Sequence, residues 1–307
     1  MTLPAEFALI ARHFRPLAGE GALGLLDDAA LLTPPPGREL VLAADAMVAG
    51  VHFLPDDPPE TIGRKLLRVN LSDLAAMGAD PLGYLLTIAL PHGTPDSWLA
   101  AFTQGLALDQ AEYGLSVLGG DTVSTPGPLC LSLTILGTVP PGQALRRAGA
   151  RPGDELWVTG TIGDGHLGLA AARGTRPDPD GYLAGRYRLP QPRLAIGRAL
   201  RGVATACMDV SDGLVQDLGH LCRASGCGAV IQSGLVPRSA AALGADIAAL
   251  ITGGDDYELL FATAPGTLPQ GMAATRIGHF TAASMDVVVL DDAGRPLPLT
   301  RQGWSHV

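Results

Sequence analysis

Aspartates at the ends of apolar runs are the residues best able to do chemistry in this sequence. They outnumber glutamates, and many stand beside glycine; they are Asp27, Asp28, Asp45, Asp73, Asp121, Asp209, Asp212, Asp255 and Asp256. Short carboxylates at loop tips can converge on a divalent cation, which prefers oxygen ligands. Without a cation they would repel one another and raise each other's pKa. We therefore expect either a metal ion or arginine side chains to neutralise them, whereas any single aspartate could also be a helix cap or turn residue.

Two parts of this set have informative positions. Asp209 and Asp212 are three residues apart at a predicted strand-to-helix junction, so their carboxylates can face the same way, although Ser211 between them could also be a helix N-cap. Asp73 lies on the apolar stripe of a helix predicted over 60–78. A carboxylate without a partner there would cost several kcal/mol or be neutralised, which favours a functional role for Asp73.

Glycine pairs precede several of these aspartates, and they suit a phosphate ligand. Gly119-Gly120 and Gly253-Gly254 could let backbone N–H groups approach an anion, and they could equally form ordinary turns. The segment 160–165 does not match the two common nucleotide-binding glycine motifs, and Lys65, the only lysine, is far from it in sequence. No serine stands in a nucleophile-elbow motif. The residues alone indicate a metal-dependent enzyme that acts on a phosphorylated substrate.

Composition limits the class of protein. The chain has 307 residues, of which 47% are hydrophobic, so it can form one large domain or two ordinary ones. A formal net charge of −9 disfavours nucleic acid as a partner. The four cysteines form no C-x-x-C pair, which is typical of free thiols in a reducing compartment. Because the start of the chain lacks a signal-peptide pattern and no apolar run is long enough to span a bilayer, we expect a soluble cytoplasmic protein without a membrane partner.

Apolar periodicity predicts elements that position these residues. Helices are predicted over 60–78, 95–113, 214–224 and 240–249, and strands over 40–44, 82–90, 115–118, 129–139, 155–159, 206–210 and 257–263. Asp45 then ends one strand and Asp121 follows another. Periodicity stops around 140–149. We predict two mixed α/β domains, 1–140 and 141–307.

Six sequence blocks together form a recognisable pattern: DAMVAGVHF over 45–53, VNLSDLAAMGADP over 69–81, GGDT over 119–122, RAGARPGD over 147–154, DVSDGL over 209–214 and GGDDYEL over 253–259. In this order they resemble the thiamine-monophosphate kinase family, within the aminoimidazole-ribonucleotide synthetase-like superfamily. The resemblance implies the α/β fold of that superfamily and a homodimer formed through the N-terminal domain. It also implies that this domain binds ATP and Mg²⁺ and that the C-terminal domain completes an active site between them.

The resemblance also implies an activity and residue roles. The activity is ATP-dependent phosphorylation of thiamine monophosphate to thiamine diphosphate, by direct in-line transfer with Mg²⁺. The implied metal ligands are Asp28, Asp45, Asp73, Asp121, Asp209 and Asp212, of which Asp73, Asp121 and Asp212 are expected to be catalytic. The implied ATP contacts are Gly120, Asp121, Arg147 and Ser211, and the implied substrate contacts are His52, Asp255 and Trp304.

Departures from the family pattern leave alternatives open. Leu26 stands where glycine is common, Ala43 and Ala44 stand where hydroxyl residues are common, and Asp255 stands where glutamate is common. One alternative is a sensor that binds a nucleotide or thiamine phosphate without catalysis. Another is a different member of the superfamily, such as selenophosphate synthetase or the hydrogenase-maturation dehydratase. The first generally needs a reactive cysteine or selenocysteine near its N-terminal loop, whereas no cysteine precedes Cys130 here. The second ends in a functional cysteine, whereas the last residues here are GWSHV over 303–307, so both are disfavoured.

Overall fold

Two compact units make up the computed structural model, which describes residues 5–282 and 284–305. The first unit extends to residue 74 and includes 80–141, and the second contains 75–79 and the chain from 142 onward. Within the described residues, no helix has the length and hydropathy that a membrane span requires. The functional roles predicted for the two domains stay predictions.

The first unit contains one four-stranded sheet and two long helices. Its elements are α1 (Ala5–Leu9), β1 (Glu39–Val48), α2 (Pro59–Ala76), β2 (Asp80–Pro91), α3 (Asp96–Tyr113), β3 (Val117–Thr125) and β4 (Cys130–Val139), and a π-helical turn (Ile10–Phe14) continues α1. The strand order is β1-β4-β2-β3, in which β4 is antiparallel to β1 and β2 whereas β2 and β3 are parallel. Alternation along β2 and β4 buries Tyr84, Leu86, Leu133 and Ile135 on one face of the sheet.

A buried charge pair links α2 to α3. Arg68 donates to the Asp109 carboxylate through Nε and Nη2, at 2.6 and 3.0 Å, and Arg64 Nε donates to it at 2.9 Å. Asp109 has no exposed surface. A buried carboxylate is tolerated only when it is paired and hydrogen-bonded, so buried Arg68 belongs to the core of the first unit and half-buried Arg64 adds a further bond from its edge.

The second unit contains a six-stranded sheet. Its elements are β5 (Glu155–Thr159), α4 (Asp164–Ala172), α5 (Tyr182–Arg188), α6 (Leu194–Ala199), β6 (Ala204–Asp209), α7 (Leu214–Ser225), β7 (Gly228–Gln232), α8 (Ile247–Ile251), β8 (Leu259–Thr263), β9 (Ala274–Thr281) and β10 (Val287–Leu290). The strand order is β10-β7-β9-β5-β8-β6. Leu214, Leu218 and Leu221 of α7 are fully buried at helical spacing, in a core cluster that also contains sheet residues such as Leu260 and Ile277.

Three local predictions are wrong. The helix predicted over 240–249 is interrupted, because Gly244 has a φ of +81° and Asp246 caps a separate α8 by accepting from the Ala248 N–H at 3.1 Å. Asp45 lies inside β1 rather than at its end, and Asp121 lies inside β3 rather than after it. The periodicity predicted strands shorter than those the structure forms.

Candidate active site

A cavity of about 710 Å³ in the first unit contains three of the predicted site residues. Asp28, Gly120 and Asp121 line it, together with Thr87, Ser132 and Thr134 from the four-stranded sheet and Phe14 from the N-terminal segment. The cavity therefore combines carboxylates, hydroxyl groups and an apolar wall.

Strand register explains why Asp121 faces this cavity. Asp121 pairs with Thr87, Thr87 with Ser132, and Ser132 with Ala46, so these four residues form one row across the sheet. Side chains in register share a face. The row presents a carboxylate and two hydroxyl groups side by side, and all three of these side chains line the cavity.

Gly120 is required by the backbone of the sheet. Its φ is +155°, and a Cβ at this position would collide with the carbonyl oxygen of Leu86 on the neighbouring strand. The glycine thus permits the close pairing of β2 and β3, whether or not a ligand also approaches it.

The loop before Asp28 has an unusual backbone. Leu23, Gly24 and Leu25 have φ values of +53°, +68° and +56°. This left-handed region is unfavourable for leucine, so the loop that presents Asp28 to the cavity stores backbone strain. Leu26, which stands where the family commonly has glycine, follows this strained stretch directly.

Asp45 and Asp73 are not among the residues that line the cavity. Asp45 pairs with Leu133, and Leu133 pairs with Leu86. This row is next to the row that contains Asp121, and consecutive residues of a strand point to opposite faces of the sheet. The Asp45 side chain is therefore directed to the face opposite to that of Asp121. Fully buried Asn70 links α2 to this position, since its Oδ1 accepts from the Asp45 N–H at 3.1 Å. Asp73 follows Asn70 on α2 and is half-buried.

His52 lies in the turn after β1, where its backbone and ring are both bonded. Its Nδ1 accepts from the Val48 N–H at 3.0 Å, and its carbonyl oxygen accepts from Lys65 Nζ at 3.0 Å. Lys65 is the only lysine in the sequence and is 2% exposed. The buried Lys65 ammonium therefore stabilises the turn that contains His52, which is a structural role.

In the second unit, two loops that contain predicted site residues are joined by backbone hydrogen bonds. Tyr257 N–H donates to Val210 O at 2.8 Å, Asp255 N–H donates to Ser211 O at 2.9 Å, and Val210 N–H donates to Glu258 O at 2.9 Å. Asp255 and Tyr257 have φ values of +67° and +51°. Strained φ values persist only where surrounding contacts fix them, and here they hold Asp255 beside Ser211.

Asp217 was not predicted as a site residue, yet it shapes the Asp212 loop. It is 2% exposed, and its Oδ2 accepts from the N–H groups of Asp212 and Gly213 at 3.0 and 3.1 Å. The pKa of Asp217 is raised to about 8, because burial and the charges of Asp209 and Asp212 raise it more than the two N–H bonds lower it. A carboxylate in the first turn of a helix that reaches back to the preceding loop resembles half of a capping box, and this spacing is the signal that could have identified it.

Two further acidic residues in the block 253–259 are structural. Asp256 accepts from the Gly163 and Gly165 N–H groups at the start of α4, at 2.9–3.1 Å. Glu258 is fully buried and accepts from Arg186 at 2.9 Å and from Arg193 through two bonds of 2.6 Å. These bonds hold the loop in place from the core side.

Trp304 and His166 complete the surroundings of these loops. The Trp304 N–H donates to Asp212 O at 2.9 Å, which places the tryptophan next to the Asp212 loop. His166 is half-buried; burial and the charge of Arg301 lower its pKa, and Asp255 opposes them. His166 was not predicted, and nothing in its sequence context distinguishes it.

Arg147 is exposed, and its charge and that of Asp212 act in opposite directions on the pKa of His220.

The structure supplies the donor chemistry for Mg²⁺ without a complete ligand cage. Asp209 and Asp212 bring carboxylates near buried Asp217, and their negative charges raise its pKa, an effect that a bound cation would offset. Within residues 5–282 and 284–305, no three His, Cys, Asp or Glu side chains are grouped so that they could hold a metal ion. Mg²⁺ is usually held by one or two carboxylates together with substrate phosphates and water, so the residues fit that mode of binding.

Comparison with known proteins places both units in one class. The family model described as AIR synthase related protein, N-terminal domain, matches residues 26–139, and the model for the C-terminal domain matches 151–291. Fold and matches define an AIR synthase related protein, which confirms the predicted fold class.

Individual proteins that match nearly the full length of the chain identify the family within this class. The thiamine-monophosphate kinase of Caulobacter vibrioides is 44% identical, over 99% of this chain and 91% of its own. The crystal structure of the thiamine-monophosphate kinase from Stenotrophomonas maltophilia K279a has 39% identity and a TM-score of 0.81, over 93% of this chain and 96% of that one. AaThiL complexed with AMPPCP and TMP has 29% identity and a TM-score of 0.82, over 94% and 97%. The chain belongs to the thiamine-monophosphate kinase family, as the sequence blocks predicted.

Proposed function

We propose that this chain transfers the γ-phosphoryl group of ATP to the phosphate of thiamine monophosphate, which yields ADP and thiamine diphosphate. The relatives are named thiamine-monophosphate kinase, and the similar AaThiL structure is a complex with AMPPCP and TMP. The observation that carries the proposal is the cavity in the first unit, where Asp28, Gly120 and Asp121 lie beside the hydroxyl side chains of the sheet.

We assign Mg²⁺ to the carboxylates of Asp28, Asp45, Asp73, Asp121, Asp209 and Asp212. When bound, Mg²⁺ neutralises phosphate charge and thereby lowers the barrier to transfer. Catalysis is assigned to Asp73, Asp121 and Asp212. Asp121 projects into the cavity from the interior of a strand, and buried Asp217 holds the Asp212 loop, so both carboxylates are positioned by rigid elements.

ATP is assigned to Gly120, Asp121, Arg147 and Ser211, and the thiamine substrate to His52, Asp255 and Trp304. The acceptor is a phosphate that is already ionised near neutral pH, so the reaction needs little general-base catalysis. The main barrier is the approach of two anions, which the protein lowers by fixing their positions. A site built from aspartates, with Lys65 buried beneath a turn, agrees with that requirement.

We also propose a homodimer and a cytoplasmic location. Leu40, Leu42, Leu85 and Val123 are 41–61% exposed on the sheet of the first unit. Their strands place them on the face that carries the cavity, and such an apolar patch is typical of a protein interface. All four cysteines are free, and three are buried, which supports a reducing compartment.

Substitution of the assigned carboxylates tests the activity. We expect Asp121→Asn, Asp73→Asn and Asp212→Asn each to lower kcat by about 10²–10³-fold or more, because each removes a carboxylate assigned to Mg²⁺. Formation of thiamine diphosphate from ATP, Mg²⁺ and thiamine monophosphate is the measurement, with circular dichroism to confirm folding. Asp286→Asn, at an exposed position outside the site, is the control.

The outcomes separate the alternatives. Wild-type turnover in all three variants would contradict the assignment of the carboxylates. A wild-type chain that binds both ligands but forms no diphosphate would instead indicate the sensor.

A further inference from the structure

The segment around Trp304 lies against the start of α7, and the contact depends on one side chain. Gln216 Nε2 donates to the Trp304 carbonyl oxygen at 2.6 Å and to Asp212 Oδ2 at 3.1 Å. An amide nitrogen carries two hydrogens, so both bonds can form at once. The Trp304 N–H also donates to Asp212 O at 2.9 Å. Gln216 is therefore bonded simultaneously to Asp212 and to Trp304.

Gly303 gives independent evidence that this contact is close. A Cβ at Gly303 would lie 2.5 Å from Gln216 Cβ, 2.7 Å from Gln216 Oε1 and 2.9 Å from Asp212 O. Real Cβ atoms do not approach other atoms to within 3 Å without a shift. The segment can lie this close to Gln216 and Asp212 only because residue 303 has no side chain.

Trp304 remains accessible although its backbone is fixed. Its relative exposure is 49%, while its main-chain N–H and carbonyl oxygen are both hydrogen-bonded to the start of α7 and the loop before it. An indole fixed by its backbone and left half-exposed offers a flat surface on which an aromatic or cationic ring can stack. The rings of thiamine monophosphate have that chemistry.

We propose that Gln216 is a positioning residue that fixes Trp304 beside Asp212 and so sets the affinity for thiamine monophosphate. The role of the indole in binding this substrate rests on the proposed function. Gln216 does not itself touch the substrate in this proposal. Its two hydrogen bonds restrict the tryptophan before the substrate arrives, which lowers the entropy lost on binding.

Three variants test the role of Gln216 and the contact at Gly303. Gln216→Glu keeps the side-chain shape but directs an acceptor at two acceptors, Gln216→Ala removes the amide, and Gly303→Ala introduces the colliding Cβ. Gly185→Ala is the matched control, because a Cβ there meets no atom within 4 Å and the φ of Gly185 is not in the left-handed region.

We expect each of the three variants to raise the KM for thiamine monophosphate about tenfold, which corresponds to about 1.4 kcal/mol, and to leave the KM for ATP unchanged. Hydrogen exchange in the peptide 300–305 should become faster without any ligand. The fluorescence emission of Trp304 should shift to longer wavelength. Because the chain has three tryptophans, Trp304→Phe is combined with the wild type and with each variant, and the difference between the paired spectra gives the emission of Trp304. Because Gln216→Ala and Gly303→Ala disrupt the same contact, their effects should not add in the double variant.

Two results would overturn the proposal: unchanged exchange and emission in all three variants, or faster exchange with an unchanged KM for thiamine monophosphate. A wild-type chain that neither binds nor phosphorylates thiamine monophosphate would contradict the proposed function and, with it, the substrate role of Trp304. Hydrogen exchange without ligand tests the contact of Gln216 with Trp304 independently of any activity toward thiamine monophosphate.

Discussion

Gly120 is assigned to ATP in the proposed function, and the fold requires a glycine at this position as well. The resemblance assigned it to ATP, and the structure adds that its φ of +155° and its approach to Leu86 O exclude a side chain. Loss of activity in a Gly120 variant is therefore insufficient evidence of ligand contact unless its stability is measured as well.

A comparison of adjacent glycines provides that measurement. We expect Gly120→Ala to lower the free energy of unfolding by about 3 kcal/mol, because a Cβ would push β2 and β3 apart. Gly119→Ala should cost less than about 1 kcal/mol, since its Cβ would meet only Leu85 Cδ2 at 3.4 Å. Urea denaturation of both variants measures this, and equal stabilities would contradict the steric account.

At the scale of elements, the buried pair between α2 and α3 is the clearest test of what holds the first unit together. Asp109→Ala should lower the free energy of unfolding by about 3–5 kcal/mol, because it leaves the buried Arg68 guanidinium without its main partner. Glu112→Ala is the control: Glu112 also contacts Arg68, at 3.0 Å, but its side chain is 49% exposed, so we expect a loss below about 1 kcal/mol. A small loss in Asp109→Ala would show that the buried pair contributes little.

The Asp256 carboxylate at the start of α4 predicts a pH dependence of stability. Burial raises the pKa of Asp256 to about 8, against the opposing effect of the Gly163 and Gly165 N–H groups. The Asp256 carboxyl group loses its proton at about pH 4 in the unfolded chain and at about pH 8 in the folded chain. Stability contributed by the group is therefore present below about pH 4 and is lost as the pH rises from about 4 to about 8, by at most about 1.4 kcal/mol per unit.

Denaturation of the wild type and Asp256→Asn at about pH 5 and about pH 8 tests this dependence. We expect the variant to lose less stability than the wild type between these pH values. Asp291→Asn should behave as the wild type, because hydrogen bonds lower the pKa of Asp291 and its titration is complete before this range begins. An identical pH dependence in Asp256→Asn and the wild type would contradict the assignment.

Local patterns predicted the long elements and the strand-to-helix junction between Asp209 and Leu214. Apolar periodicity predicted α2, α3 and α7, because packing against a core requires that spacing. β6 ends at Asp209 and α7 begins at Leu214, so the predicted strand-to-helix junction is confirmed. The shared direction of the Asp209 and Asp212 carboxylates stays a prediction, and the charges of both raise the pKa of Asp217.

Non-local geometry is what the sequence could not reveal. Asp45 and Asp121 resembled loop tips, but pairing with β4 and β2 extends their strands and directs the two carboxylates to opposite faces. The break of the helix predicted over 240–249 depends on the backbone of Gly244 and the cap at Asp246, although alanine-rich sequence favours a helix there. The bonds of Gln216 depend on a contact with a residue 88 positions away along the chain.

For the whole molecule, the apolar sheet face in the first unit predicts the oligomeric state. We expect Leu42→Glu to convert a dimer to a monomer, because it places a charge in an apolar patch that a partner would cover. Leu108→Glu is the control: Leu108 is 41% exposed but lies on α3 rather than on the sheet. Sedimentation velocity at several concentrations gives the mass, and a wild-type chain that sediments as a monomer would contradict the proposed dimer.

Burial of the single lysine has a practical consequence for anyone who studies the protein in solution. Lys65 is 2% exposed and bonded to the carbonyl of His52, so an amine-reactive dye should leave its side chain unmarked while the chain is folded. Dye would appear on the peptide that contains Lys65 only when α2 opens and releases the side chain. The labelled fraction of that peptide, measured by mass spectrometry, would therefore report how often this helix detaches under native conditions.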